Sequence, residues 1–219
     1  MVTKELVAPA DGQPAGGLDA EFTNEQLGRI QITKKVTLNG QGTDTTKVDG
    51  EYKFTITKKN DADFTPIQTS IEVIGGVANS VTIGDLPIGE YVITENLEAG
   101  QTSLGIALAS SPNVDVVASA ETSLPPTANA EFTNNRNIGD LKVTKKVEGT
   151  DAADVDFPFT IELTPPEGVK FEDASTYPAK KTTSAGESEV EPAAASEAAL
   201  KYELSLKTGE TFEIKDLPT

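Results

Sequence analysis

The sequence predicts an all-β protein built from tandem β-sandwich units, one complete and one or two partial. Three observations carry this. Apolar and polar residues alternate in short runs, as they do in half-buried strands. Clusters of Gly, Pro, Asn and Asp separate the runs. Three short segments recur at long intervals along the 219 residues.

The recurrences set the phase. Ala20-Glu21-Phe22-Thr23-Asn24 returns identically as Ala130-Glu131-Phe132-Thr133-Asn134, and Ile32-Thr33-Lys34-Lys35-Val36 returns as Val143-Thr144-Lys145-Lys146-Val147, both after about 110 residues. Ile83-Gly84-Asp85-Leu86-Pro87 returns as Ile214-Lys215-Asp216-Leu217-Pro218 after about 130 residues, so the second copy carries an insertion. Residues 25–137 then form a complete unit that opens on the lysine strand and closes on the Phe-Thr-Asn strand. Residues 1–24 read as the closing strands of a preceding unit. Residues 138–219 read as a truncated second unit with an Ala/Glu-rich insertion near 165–200. Leu217-Pro218-Thr219 resembles the start of a sorting signal, but its equivalence to Leu86-Pro87-Ile88 makes it a turn inside the repeat.

Strands are expected at 29–37, 51–58, 70–75, 79–84, 90–96, 103–109, 113–119 and 128–134 in the complete unit. The second unit should hold strands at 140–148, 157–163, 201–206 and 210–215. The insertion reads as a surface excursion with one short helix over 193–200, because Ala and Glu dominate there.

Composition narrows the chemistry. The chain has no His and no Cys, which excludes disulfides, thiol catalysis and any His-based triad or zinc site. The net charge is −17, which argues against nucleic acid as a partner. No apolar run is long enough to span a bilayer. Asp61 and Asp63 are too few carboxylates for a calcium site and read as a solvated turn. No metal and no cofactor are expected.

Three polar residues fall on the wrong face. In Ile30–Val36 the apolar parity is even, so Lys34 points inward, and the same parity turns Lys145 inward in the second unit. Tyr91, Ile93 and Glu95 share a face, as do Phe132 and Asn134. A buried ammonium is unfavourable unless it is paired or chemically consumed. Desolvation lowers a lysine pKa and frees the amine as a nucleophile, a neighbouring carboxyl can shuttle protons, and an asparagine amide is the electrophile at hand. Each residue taken singly also has a bland reading. A Lys-Lys pair suits a solvated edge strand, Glu95 a strand end, and Asn134-Asn135 a turn.

Ile32-Thr33-Lys34-Lys35-Val36, Gly89-Glu90-Tyr91-Val92-Ile93-Thr94-Glu95 and Glu131-Phe132-Thr133-Asn134 together resemble the isopeptide-forming, Ig-like domains of Gram-positive pilins and adhesins, the Cna-B-like and major-pilin modules. The resemblance implies that Lys34 bonds Asn134 and that Glu95 promotes the reaction. It implies a structural stalk or pilus-shaft protein on the surface of a Gram-positive bacterium, not an enzyme with turnover. Its partners would be neighbouring copies or repeats of the same protein. Lys145 has no later Glu or Asn partner within 138–219, and Asn24 has no first-strand lysine before it. The two are therefore unpaired, or meet between molecules head to tail. Val2-Thr3-Lys4-Glu5 matches the glutamate strand loosely, at half the spacing to its asparagine. Tyr177-Pro178-Ala179-Lys180 carries part of the pilin motif whose lysine receives a sortase-transferred partner, and reads as a loop. The alternative function is a ligand-binding adhesin module for glycan or host protein, which the absence of Trp and the few Tyr support poorly.

Overall fold

The computed structural model describes residues 27–42, 46–118, 128–149 and 154–219. Asn24 and the rest of the expected fragment 1–24 lie outside them. The first unit comprises β1 (Leu27–Leu38), β2 (Gln41–Gly42), β3 (Gly50–Lys58), β4 (Ile67–Ile74), β5 (Val77–Ala78), β6 (Val81–Pro87), β7 (Gly89–Asn96), a short α1 (Ala99–Ser103), β8 (Ile106–Leu108), β9 (Asn113–Ala118) and β10 (Ala128–Arg136). The second comprises β11 (Ile138–Thr144), β12 (Phe157–Leu163), β13 (Ala179–Thr183), β14 (Gly186–Glu189), β15 (Ala194–Ser196), β16 (Ala199–Leu206) and β17 (Thr211–Pro218).

In the first unit, β1 lies between β6, which is antiparallel, and β10, which is parallel. The opposing sheet runs β5-β4-β3-β7-β9. Between the sheets, Ile30, Ile32, Tyr52, Phe54, Ile56, Tyr91 and Ile93 are completely buried, and the Phe54 and Phe132 rings meet at 5.1 Å. These are the positions that period-two alternation assigns to the core.

The repeat extends to backbone detail. Gly28 pairs Leu86 before a register shift in β1–β6, and Gly139 pairs Leu217 before the same shift in β11–β17. At both bulges the Asp of the Asp-Leu-Pro turn is left-handed, with φ 55° at Asp85 and 62° at Asp216. Asp tolerates that conformation better than most residues. The second core has its own ring pair on different strands, Tyr202 of β16 and Phe212 of β17, at 5.1 Å.

Two expectations fail locally. Residues 103–109 do not form one strand. A single turn of helix, α1, comes first, closed by a capping box in which Gln101 accepts from the Glu98 N–H, and β8 then spans three residues. Residues 193–200 are not helical but turn from β15 into β16 through a Ser196-centred hairpin, where the Ser196 hydroxyl accepts from the Ala198 and Ala199 N–H groups. Pairing to Leu200 and Lys201 outweighs the helix propensity of Ala. The insertion is more than a surface excursion, because β13 adds to β17 and extends the sheet.

Candidate functional site

Three strands aim polar side chains at one point between the sheets. Lys34 leaves β1, Asn134 leaves the adjacent parallel β10, and Glu95 leaves β7 in the opposing sheet. The register sets Val36 beside Asn134 and Lys34 beside Phe132, so the lysine stem runs diagonally to the asparagine one period further on. Exposures are 4% for Lys34, 4% for Glu95 and 1% for Asn134.

The three groups close a ring of contacts. Lys34 Nζ donates to Asn134 Oδ1 at 2.6 Å, and Asn134 Nδ2 donates to Glu95 Oε1 at 2.8 Å. Nζ lies 2.9 Å from Glu95 Oε1 and 3.2 Å from Oε2. The Tyr52 ring covers the ammonium, with its centroid 4.7 Å away. Burial pulls the Lys34 pKa down from its usual 10.5 to about 8, against the opposing pull of the Glu95 charge and hydrogen bond. The same burial, with Glu95 close by, pushes the Tyr52 hydroxyl up to about 12.

These shifts set a pH dependence. Where the unfolded chain holds more protons than the folded one, stability rises with pH. For an unmodified Lys34 that window opens at about 8, and above about 10 the raised Tyr52 begins to act in the opposite sense. An Asn134→Ala chain, which keeps both Lys34 and Glu95, should therefore gain stability from pH 8 to 10. Adding Lys34→Met should flatten the gain. Denaturant midpoints across that range check it, and equal slopes in the two chains would count against it.

Lys145 is placed differently. It keeps the inward parity but is only half buried, with Nζ 4.0 Å from the centroid of the Phe157 ring. Phe157 matches Tyr52 in the repeat, so the lysine-over-ring arrangement recurs, with no carboxylate or amide hydrogen-bonded to Nζ among the described residues. Lys180, in Tyr177-Pro178-Ala179-Lys180, is a strand residue of β13 rather than a loop residue. It donates to Glu187 at 3.1 Å, and this hydrogen bond raises its pKa.

Sequence parity overlooked Arg136. It lies one period beyond Asn134 on the same face of β10 and is 2% exposed. Nη1 donates to the Lys47 carbonyl at 2.7 Å and Nη2 to Glu172 Oε2, in the insertion of the second unit, at 2.6 Å. The shared parity of Phe132, Asn134 and Arg136 was the signal that could have found it.

A family model described as a domain of unknown function, DUF5979, matches residues 30–136, and a second, DUF7601, matches residues 139–219. No curated protein matches the chain. Among solved structures it is similar to the major pilin of Streptococcus pyogenes, at 18% identity over 90% of this chain and 80% of that one, with a TM-score of 0.45. It is also similar to the full-length major pilin SpaD of Corynebacterium diphtheriae, at 18% identity over 90% and 59% of the two chains, with a TM-score of 0.30. The shaft pilin SpaA of Lactobacillus rhamnosus GG is similar at 13% identity over 88% and 89%, with a TM-score of 0.31.

Proposed function

We propose that this chain is a structural segment of a Gram-positive cell-surface stalk or pilus shaft, and that its first unit locks itself with an isopeptide bond between Lys34 and Asn134. The observation that supports this is the closed, buried contact ring of Lys34, Asn134 and Glu95. Glu95 takes a proton from Nζ, and the freed amine attacks Cγ of Asn134, whose oxygen it already contacts. Glu95 returns the proton to Nδ2, 2.8 Å away, and the Cγ–Nδ2 bond breaks. One C–N bond forms, one breaks, and the nitrogen leaves as ammonium with the surplus proton. Nothing is oxidised or reduced. The buried ammonium is consumed, which removes its desolvation penalty.

The reaction occurs once per unit, so the protein is not a turnover enzyme. Its partners are further copies or repeats arranged along the stalk. The surface gives the ligand-binding alternative no support, because the large exposed apolar residues among the described ones are aliphatic: Leu27, Ile74, Val77, Ile88, Val117 and Val155. Among the same residues, no helix is long and apolar enough to cross a membrane.

Intact mass tests the proposal. The purified chain should weigh one ammonia less than its sequence requires, and Lys34→Ala or Glu95→Ala should restore the full mass. A wild-type chain of unmodified mass would refute the bond.

A further inference from the structure

The second unit holds a pocket of about 270 Å³ whose walls all come from residues 174–202. Pro178, Val190 and Pro192 give it apolar wall, and Tyr202 of β16 lines it from the buried side. The Val190 N–H donates to the Ala179 carbonyl at 3.0 Å, which holds one wall against β13. The volume lies below the roughly 300–1,000 Å³ of pockets for drug-sized ligands. It suits a single long side chain.

Three polar groups at this pocket lack partners. The Tyr202 hydroxyl is buried and makes no hydrogen bond among the described residues, whereas a buried tyrosine hydroxyl ordinarily finds one. One end of that side chain is fixed by ring packing on Phe212. At the other end, burial together with the charge of Glu191 pushes the hydroxyl pKa up. Glu189 and Glu191 also line the pocket, and their side chains make no ion pair or hydrogen bond with a described residue. Lys180 lines it too, but its ammonium is held by Glu187 at 3.1 Å.

Unpaired carboxylates beside apolar wall favour a cation with an apolar stem. Two carboxylates are too few for calcium, and no group of acidic side chains among the described residues could hold a metal ion. A lysine meets the requirement, because it lays its stem along apolar surface and keeps its ammonium at the wet rim. Its three N–H donors match three acceptors without partners. We infer that the pocket takes the lysine side chain of another polypeptide, with its stem along Pro178, Val190 and Pro192. Its ammonium donates to Glu189, Glu191 and the Tyr202 hydroxyl oxygen. Because both carboxylates are exposed, the contact is weak and salt-sensitive. The site takes one cationic side chain, not a glycan, and rests on neither the stalk reading nor the Lys34–Asn134 bond.

Amide NMR shifts of the full chain, titrated with N-acetyl-lysine methylamide, test it. The shifts should saturate and centre on residues 174–202. The norleucine analogue, which keeps the stem and lacks the ammonium, should bind at least about fivefold more weakly, as should the lysine probe to Glu189→Gln combined with Glu191→Gln. Tyr202→Phe should also bind about fivefold more weakly. Its denaturant midpoint should not fall, because the hydroxyl has no partner to lose. Shifts that never saturate or that spread over the whole acidic surface would overturn the inference. So would equal binding of the norleucine analogue, or undiminished binding by the Tyr202→Phe chain.

Discussion

Pulled from its two ends, the first unit should not release the chain between Lys34 and Asn134. The two residues are 100 apart in sequence, so an unlocked unit would yield roughly 330 Å of extra length on unfolding. With the bond in place, force enters at β1, crosses the side-chain amide and leaves through β10. The other strands carry no load. Single-molecule force traces should show the long release in Asn134→Ala and lack it in the wild type.

The equilibrium effect should also be large. Closing a loop of about 100 residues stabilises by roughly 4–5 kcal/mol in the chain-entropy model for disulfides. That is a large part of the 5–15 kcal/mol total typical of a domain. Lys34→Met should be less stable than Asn134→Ala, which also lacks the bond but keeps the Lys34 ammonium beside Glu95, because an orphaned buried charge adds about 3–5 kcal/mol. Lys34→Met combined with Glu95→Gln should recover that increment while still lacking the bond. Denaturant midpoints separate the two contributions. A wild type that unfolds at the same denaturant concentration as Asn134→Ala would exclude the covalent contribution.

The second large effect is expected at Arg136. Its guanidinium bridges the Lys47 carbonyl in the first unit and Glu172 in the second. Nearby, the Lys170 N–H donates to the Ser103 carbonyl at 2.7 Å, and Lys47 pairs Asp216 at 3.1 Å. The insertion thus braces one unit against the other. Arg136→Ala leaves the part-buried Lys47 carbonyl and Glu172 carboxylate without their shared donor, for a loss of about 1–3 kcal/mol. Arg136→Lys should recover little, because one ammonium on a flexible stem does not reproduce the fork that serves both acceptors. Calorimetry should show one cooperative transition splitting into two as the units uncouple. An unchanged single transition in Arg136→Ala would show that the brace is not needed.

How much was legible in the sequence varies from residue to residue. The inward turn of Lys34, Glu95 and Asn134 follows from a side-chain period of two, which needs no knowledge of the partner strand. The same rule applied one period further along β10 yields Arg136. It does not yield Glu172, which comes from a loop without periodicity. Propensity misjudged residues 193–200, where pairing with the rest of β16 selects a hairpin despite the alanines.

Alternation in the sequence by itself determined the all-β class and the inward facing of Lys34, Glu95 and Asn134. These are local properties of an extended backbone. Only the tertiary structure decided how deep each inward residue lies. Lys34 and Lys145 occupy equivalent positions in near-identical segments, yet one is sealed beneath β10 and β7 while the other stands half open above Phe157. Parity states which way a side chain points. Whether another strand closes over it depends on contacts made far along the chain, and those distinguish a buried lysine from a half-exposed one.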